Sequence, residues 1–211
     1  MTPEAVPPAV EAPANANRSR LLEGMALCAA SRGYADTTVA DIVREAGVSK
    51  RTFYECFATK AECLIALYEA ASHNALKMLG QAIDPAHKWQ TQVERALSAY
   101  LACMADNPVL MRTLFIEILG LGAEGLAARR RVNQEIAGFM LTVINAGRDG
   151  CQRDQPLPAE MAMAIVGGIN ELILEYIEQE RVTALGELVE PAARLVRAVT
   201  LAGVAPPSAS A

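Results

Sequence analysis

Apolar residues recur along the chain at the three- and four-residue spacing of amphipathic helices, and no stretch shows the strict alternation of a β-strand. Gly, Pro and Asn residues interrupt the pattern where turns are favoured. The pattern predicts about nine helices, covering about residues 18–32, 38–46, 50–57, 60–83, 89–105, 108–119, 124–147, 159–180 and 185–203. We therefore expect an all-α protein with no internal repeat.

The segment 37–63 has the pattern of a helix-turn-helix. Thr37 or Thr38 can cap the first of its helices, and Asp41, three residues after Thr38, reinforces that start. Gly47 ends this helix at a position where a positive φ angle is least costly for glycine. Ser49 can then cap the second helix. The turn of about three to four residues sets two helices at the steep angle used for reading the major groove of DNA.

Polar and basic side chains are concentrated in the first turn of the second helix, where backbone N–H groups and the helix dipole favour phosphate. Tyr54, later in that helix, offers a hydroxyl to a phosphate. Thr38 and Lys60 would hold the DNA backbone from the starts of neighbouring helices. The predicted DNA contacts are Thr38, Ser49, Lys50, Arg51, Thr52, Tyr54 and Lys60.

The sequence GYADTTVADIVREAGVSKRTFYECFATKAECLIALYEA resembles the N-terminal domain of the TetR family of transcriptional repressors, over about residues 18–70. The resemblance implies an N-terminal three-helix DNA reader and a C-terminal helical domain with a ligand cavity and a dimer interface. The predicted organisation is a disordered arm at 1–17, a helix-turn-helix domain at 18–63, a ligand-binding and dimerisation domain at 64–204, and a disordered tail at 205–211.

The resemblance places an apolar ligand cavity among the fourth to eighth helices. Met and aromatic side chains there suit an adaptable cavity wall, although ordinary core packing is the alternative. Glu117 and Asn170 lie inside apolar helices, so each must be paired between helices or face a cavity or solvent. The predicted ligand-binding residues are Met104, Met111, Phe115, Phe139, Met140 and Asn170.

The last two helices carry apolar runs, and the resemblance implies that they form a four-helix dimer interface. Dimerisation is also expected independently of the resemblance, because a single three-helix DNA-binding domain makes few base contacts. Two readers place their recognition helices in successive major grooves about 34–36 Å apart. The predicted interface residues are Ile165, Val166, Ile169, Ile173, Leu195 and Val199.

Charge separates the two predicted domains. The 211-residue chain has a formal charge of −5, but residues 18–60 contain seven Lys/Arg and five Asp/Glu, which gives +2 there and −7 elsewhere. A mildly basic head on an acidic body is typical of a DNA reader attached to a domain that does not bind DNA. The run Arg129–Arg131 could be a second basic patch, although a solvated helix face is the alternative.

Other classes of function find little support in the composition. The five cysteines are scattered without metal-ligand spacing, which is typical of reduced thiols in a cytoplasmic protein. A redox role for Cys56 and Cys63 is the alternative. Two histidines cannot build a metal site alone, and no apolar run reaches membrane-spanning length. The chain also lacks a nucleophile elbow and a phosphate loop. We expect that the protein is not an enzyme, uses no cofactor and has no membrane partner.

The sequence therefore predicts a homodimeric repressor that binds a palindromic operator in double-stranded DNA and is released by a small, largely apolar effector. A ligand that prefers one tilt of the fourth helix would change the spacing of the recognition helices and hence the DNA affinity. The alternatives are a similar DNA-binding regulator without a small-molecule effector, or one that acts as an activator.

Overall fold

The computed structural model describes residues 11–84, 86–146 and 156–201. Within these ranges the chain forms nine α-helices, two short 3₁₀ helices and no β-strand, which confirms the all-α prediction. The α-helices are α1 (Glu11–Asp36), α2 (Val39–Ala46), α3 (Lys50–Cys56), α4 (Lys60–Ala82), α5 (Trp89–Ala105), α6 (Pro108–Phe115), α7 (Ala123–Ala146), α8 (Ala159–Glu178) and α9 (Val189–Leu201). The 3₁₀ helices are Glu117–Leu121 and Val182–Leu188.

Several boundaries differ from the prediction. Helix α1 begins at Glu11, inside the segment 1–17 that was expected to be disordered, and residues 1–10 lie outside the described part. The predicted sixth helix ends at Phe115, and the 3₁₀ helix Glu117–Leu121 replaces its last turn. The final helix begins at Val189 rather than at residue 185. The predicted tail at 205–211 also lies outside the described residues.

Helices α1 to α3 pack around a small apolar core. The side chains at its centre are almost fully buried: Leu21, Met25, Ile42, Phe53 and Phe57. Gly24 lets α1 and α2 approach each other closely, because a Cβ atom there would lie only 2.8 Å from the carbonyl oxygen of Ile42. This close approach fixes α2 against α1 and so sets the platform on which α3 rests.

Helices α4 to α9 form the larger helical body, in which α5 packs against α4 and α9, and α7 packs against α4 and α8. Its most deeply buried large side chains are Leu64, Leu101, Ile118, Ile165, Ile173, Ile177 and Leu185. Helix α4 joins this body to the N-terminal three helices, because it contacts both α1 and α5. A movement of α5 to α9 can therefore be transmitted to α1 through α4.

Most residues of the predicted dimer interface are buried within the single chain. Four of its residues, Ile165, Val166, Ile169 and Ile173, are buried inside the single chain with at most 6% of their surface exposed. A side chain that is already buried has almost no surface left to bury against a second chain. The apolar face of α8 instead covers the core of its own chain. Leu195 and Val199 are only half-buried and stay candidates for an interface.

The outward side of α8 and α9 carries a cluster of small and apolar residues, with the exposed Glu171 and Glu175 on the same side of α8. Met161, Ala164 and Gly168 lie on this face of α8, and Leu195 and Ala198 lie on that of α9. The two helices touch where a Cβ atom at Gly168 would lie 3.1 Å from the Leu195 side chain. We call these five residues, with Leu172 and Val199, the outer α8–α9 face. It is the part of the two helices that a second chain could cover.

None of the helices in the described ranges combines the length and the apolar character that crossing a lipid bilayer demands.

Candidate nucleic-acid interface and ligand cavities

Helix α2 begins with a capping box, as the sequence predicts. The Thr38 hydroxyl oxygen accepts a hydrogen bond from the Asp41 N–H at 3.2 Å, and the Asp41 carboxylate accepts one from the Thr38 N–H at 3.1 Å. The Thr38 hydroxyl also donates to that carboxylate at 2.6 Å. Arg44 and Arg32 lie 2.7 Å and 3.2 Å from the other carboxylate oxygen. The carboxylate thus ties the start of α2 to α1.

The hydrogen bonds from Thr38, with that from Arg44, lower the pKa of Asp41 to about 2. In the unfolded chain the pKa of an Asp is about 3.9. A lowered folded-state pKa contributes stability that is fully present above the unfolded value and is lost as the pH falls through the folded value. This part of the free energy of unfolding is therefore present at neutral pH and disappears between about pH 4 and pH 2.

We expect Asp41→Asn to destabilise the chain at neutral pH, with the difference from wild type narrowing as the pH falls from about 4 toward 2. Asparagine keeps the size of the side chain but removes the charge that Thr38, Arg44 and Arg32 stabilise. Urea unfolding followed by circular dichroism at a series of pH values measures the difference. A difference that stays constant over that pH range would show that the carboxylate charge contributes no stability.

Gly47 and Ser49 form the turn in the way the sequence predicts. Gly47 ends α2 in the left-handed region at φ 61°, and Ser49 caps α3 by accepting the Thr52 N–H at 3.0 Å. Phe53 and Phe57 anchor the inner side of α3 in the N-terminal core, with their rings 5.8 Å apart. These contacts fix which side of α3 faces outward.

The outward side of α3 carries most of the predicted DNA contacts. Ser49, Lys50, Arg51 and Tyr54 are exposed, and Tyr54 leaves 59% of its surface uncovered while its ring packs edge-on against Phe53. Thr38 is exposed at the start of α2, and Thr52 is half-buried. Arg51 pairs with Glu55 at 2.9 Å, a surface pair that holds the guanidinium only weakly. The start of α3 is thus available to bind an anion.

Lys60, also predicted to contact DNA, donates its hydrogen bonds within the chain. Its ammonium group lies 2.8 Å from the carbonyl oxygen of Tyr34 and 2.7 Å from that of Thr37, and 4.1 Å from the centre of the Tyr34 ring. A cation beside the carbonyls at the C-terminal end of α1 is electrostatically favourable. Contact between Lys60 and DNA stays a prediction, whereas its link between α4 and α1 is observed.

Glu117 makes a second contact to the end of α1, at Tyr34. Its carboxylate accepts a hydrogen bond from the Tyr34 N–H at 2.8 Å, directly after Gly33, where the backbone of α1 breaks at φ 81°. The sequence left open whether Glu117 is paired or faces a cavity or solvent. The structure shows that it is paired with the Tyr34 N–H. Because Tyr34 follows this break and Glu117 belongs to the larger body, the hydrogen bond joins the two parts of the chain. Sequence spacing could not reveal it, since 83 residues separate the partners.

Small, partly open cavities lie among the described helices of the larger body. The α5–α7 cavity, of about 70 Å³, has an apolar wall that includes Phe139, Met140 and Trp89. Two central cavities, of about 30 Å³ and about 120 Å³, share a wall of side chains that includes Met104 and Phe115. Of the remaining predicted ligand-binding residues, Asn170 lines the smaller central cavity and Met111 the larger. All six predicted residues line one of these cavities.

The smaller central cavity has a polar end. The Asn170 side-chain amide donates to the Asn133 side-chain oxygen at 3.0 Å, so Asn170 pairs between helices and also faces the cavity. Arg129 lines the same end, beside Tyr68. Burial raises the pKa of Tyr68 to about 12, and the Arg129 charge opposes that rise. Burial also raises the pKa of Tyr100, so both phenols are protonated and able to donate hydrogen bonds.

Arg129 was not among the predicted site residues, because the run Arg129–Arg131 was interpreted as one basic surface. The structure sends the three side chains to different places. Arg131 pairs with Glu69 of α4 at 2.6 Å, Arg130 is exposed, and Arg129 points to the cavity wall. Consecutive residues on a helix are turned by about 100°, so a run of three cannot form a single face.

The cysteines give no support to a redox role. Burial raises the pKa of the Cys63 thiol to about 12, which keeps it protonated and unreactive at neutral pH. Cys56 is half-buried beside α1, and Cys151 lies outside the described residues. No group of three His, Cys, Asp or Glu side chains that could hold a metal ion occurs among the residues that the structure describes.

The N-terminal helices match the model of a known protein family. The family model described as bacterial regulatory proteins, tetR family, matches residues 21–67. No curated protein matches the sequence significantly. Solved structures match nearly the whole chain in fold, and their low sequence identities limit the likeness to fold alone.

Three of these solved structures illustrate the likeness. FadR from Bacillus subtilis in complex with stearoyl-CoA has a TM-score of 0.72 and 16% identity, and covers 89% of this chain and 99% of its own. FadR from Bacillus halodurans has a TM-score of 0.68 and 16% identity, with coverages of 92% and 96%. The regulatory protein TetR from Rhodobacter sphaeroides has a TM-score of 0.65 and 22% identity, with coverages of 85% and 98%.

Proposed function

The chain carries the N-terminal domain of the TetR family of bacterial regulatory proteins, and from that premise we propose that it is a homodimeric, ligand-controlled repressor. In this proposal α3 reads a palindromic operator in double-stranded DNA. A small molecule with a largely apolar body occupies the cavities between α4 and α8 and lowers the affinity for that operator.

The geometry of α3 is the observation that supports DNA binding most strongly. Lys50 and Arg51 are exposed in its first turn, where unpaired backbone N–H groups and the helix dipole attract phosphate. Phe53 and Phe57 are buried on the opposite side and orient the helix. Tyr54, also outward, adds a phenol at the edge of this surface. A rigid helix with cations on its free side is suited to the major groove.

A dimer is part of the proposal, because specific binding needs more base contacts than one α3 provides. The outer α8–α9 face supports it. Its residues are Met, Ala, Gly, Leu and Val, and the exposed Glu171 and Glu175 lie beside them on α8. Two such faces related by a twofold axis would form a four-helix interface and hold two copies of α3 for two half-sites.

The route from cavity to DNA supports control by a ligand. Phe115 lines both central cavities and ends α6, two residues before Glu117. The Glu117 carboxylate holds the Tyr34 N–H, and Lys60 of α4 holds the Tyr34 carbonyl. A ligand that displaces Phe115 would therefore shift the Glu117 support at the end of α1. In the similar fold of FadR from Bacillus subtilis, the bound molecule is stearoyl-CoA.

Selection from a pool of random DNA duplexes tests the proposal. The full chain is incubated with the pool, bound duplexes are recovered, and enriched sequences are read after several rounds. We expect an inverted repeat whose half-sites are centred about one helical turn of DNA apart. Failure to enrich any sequence, with a folded dimer confirmed by light scattering, would contradict DNA reading by α3.

A further inference from the structure

Building on the proposed function, we propose that the effector is an amphipathic anion. Its acidic group would bind Arg129 at the polar end of the central cavities, and its slender apolar body would extend between Met104 and Phe115.

The charge of the cavity wall carries this inference. Arg129 is the charged side chain of the smaller central cavity, and neither central cavity has an Asp or Glu in its wall. Within the described residues, no salt bridge to Arg129 is found, whereas Arg131 two residues later is paired with Glu69. A guanidinium at a partly enclosed site without a local carboxylate attracts an anion from outside the chain.

The groups around Arg129 suit an anionic ligand. Tyr68 beside it stays protonated, because burial raises its pKa to about 12, and its hydroxyl can donate to an oxyanion. The Asn133–Asn170 pair lies at the same end of the cavity. Donors from two or three side chains could therefore bind one acidic group, and the bond from Arg129 would be charge-assisted.

Arg129 also lines a groove at the protein surface. Together with Asn133 it lines an open surface groove of about 400 Å³, whose wall adds Arg130, Leu126 and Met163. This groove wall contains two arginines and no acidic side chain. A ligand could therefore enter from the groove with its apolar end first and leave its anionic end at the mouth. A second anionic group, such as a phosphate, would then meet Arg130.

The small volume of the central cavities favours a slender ligand body. The central cavities have volumes of about 30 Å³ and 120 Å³, well below the roughly 300–1,000 Å³ of sites for compact drug-sized ligands. They share the side chains of Met104, Leu114 and Phe115, so moving these would join them into one channel. Met has flexible, unbranched torsions and adapts readily. An alkyl chain fits such a channel better than a fused ring system.

The test measures ligand binding without DNA, so that its failure is distinct from a failure of operator recognition. Three probes with the same saturated long chain are titrated by calorimetry into the purified full-length protein: the fatty acid, the fatty alcohol and the acyl-CoA thioester. We expect the fatty acid or the thioester to bind at least about tenfold more tightly than the alcohol. Preference for the acid assigns the anion to a carboxylate, and preference for the thioester assigns it to the phosphates.

Substitutions of single arginines test whether Arg129 binds the anionic group. Arg129→Gln should weaken binding of the preferred anion by about tenfold to a hundredfold and remove its advantage over the alcohol. Arg129→Lys should keep part of that advantage, and Arg112→Gln, an exposed arginine of α6 outside these cavity walls, should behave as wild type. Thermal unfolding checks that each variant is folded. Equal affinity for alcohol and anions, an undiminished anion preference in Arg129→Gln, or no binding by any probe would overturn the proposal.

Discussion

Ile173→Glu is expected to prevent stable folding of the chain, because Ile173 is completely buried in the core of the larger body. An unpaired carboxylate there would lose its hydration without gaining a partner, at a cost of about 4 kcal/mol or more. A domain of this kind has a total stability of about 5–15 kcal/mol, so the loss would be a large part of it. Circular dichroism and thermal unfolding of the purified variant measure the loss.

The matched control is Ala164→Glu, which lies on the outer α8–α9 face, on the opposite side of the same helix. Its carboxylate would stay hydrated in a single chain, so the variant should fold. It should nevertheless give monomers in light scattering, since two charges would meet across the dimer interface. If Ile173→Glu instead folds normally as a monomer, Ile173 belongs to an interface between two chains rather than to the core of one.

The double variant Lys50→Ala, Arg51→Ala is expected to weaken operator binding by more than about a hundredfold. Each lost phosphate or base contact costs about 1–3 kcal/mol, and a dimer loses two of each kind. Thermal unfolding should change little, because both side chains are exposed and the Arg51–Glu55 pair is a surface ion pair. Fluorescence anisotropy with a labelled operator from the duplex selection provides the measurement.

A control for charge alone is Lys77→Ala. Lys77 is an exposed cation on α4, away from α3, so its loss should reduce operator affinity only slightly. The single variants Lys50→Ala and Arg51→Ala divide the effect between the two positions. Should the double variant bind the operator as wild type does while Lys77→Ala binds it weakly, α4 rather than α3 would face the DNA.

The helix-turn-helix could be predicted in detail because its geometry depends on local contacts. Thr38 and Asp41 are three residues apart, as are Ser49 and Thr52, and each pair satisfies helix-start N–H groups within a single turn. Gly47 takes up a backbone conformation that most residues avoid. Local chemistry of this kind is fully present in the sequence.

The sequence could not show what covers the apolar face of α8, because periodicity shows which face of a helix is apolar but not its partner. Ile165 and Ile173 follow a helical repeat that suits either a dimer interface or a core. The body of α4 to α9 is large enough to cover that face within one chain. Only the small residues opposite, such as Ala164 and Gly168, indicate where a second chain could approach.

Long-range polar partners are a second kind of contact that sequence spacing hides. Lys60 has the position of a DNA-contacting cation at a helix start, yet its ammonium group binds carbonyls more than 20 residues earlier. Glu117 reaches back 83 residues to Tyr34. Arg129 differs from its two neighbours only by its angle around α7. These three residues gain their roles from tertiary packing.

In the proposed function, a ligand in the cavities controls operator binding through the chain itself. Calorimetric titration of the tightest-binding probe into the protein, with and without saturating operator, tests this coupling. Linkage requires that operator weaken ligand binding by the same factor by which ligand weakens operator binding, typically about 5- to 150-fold. We predict such a reciprocal loss, and a smaller one in Glu117→Gln. Equal ligand affinities with and without operator would contradict the account.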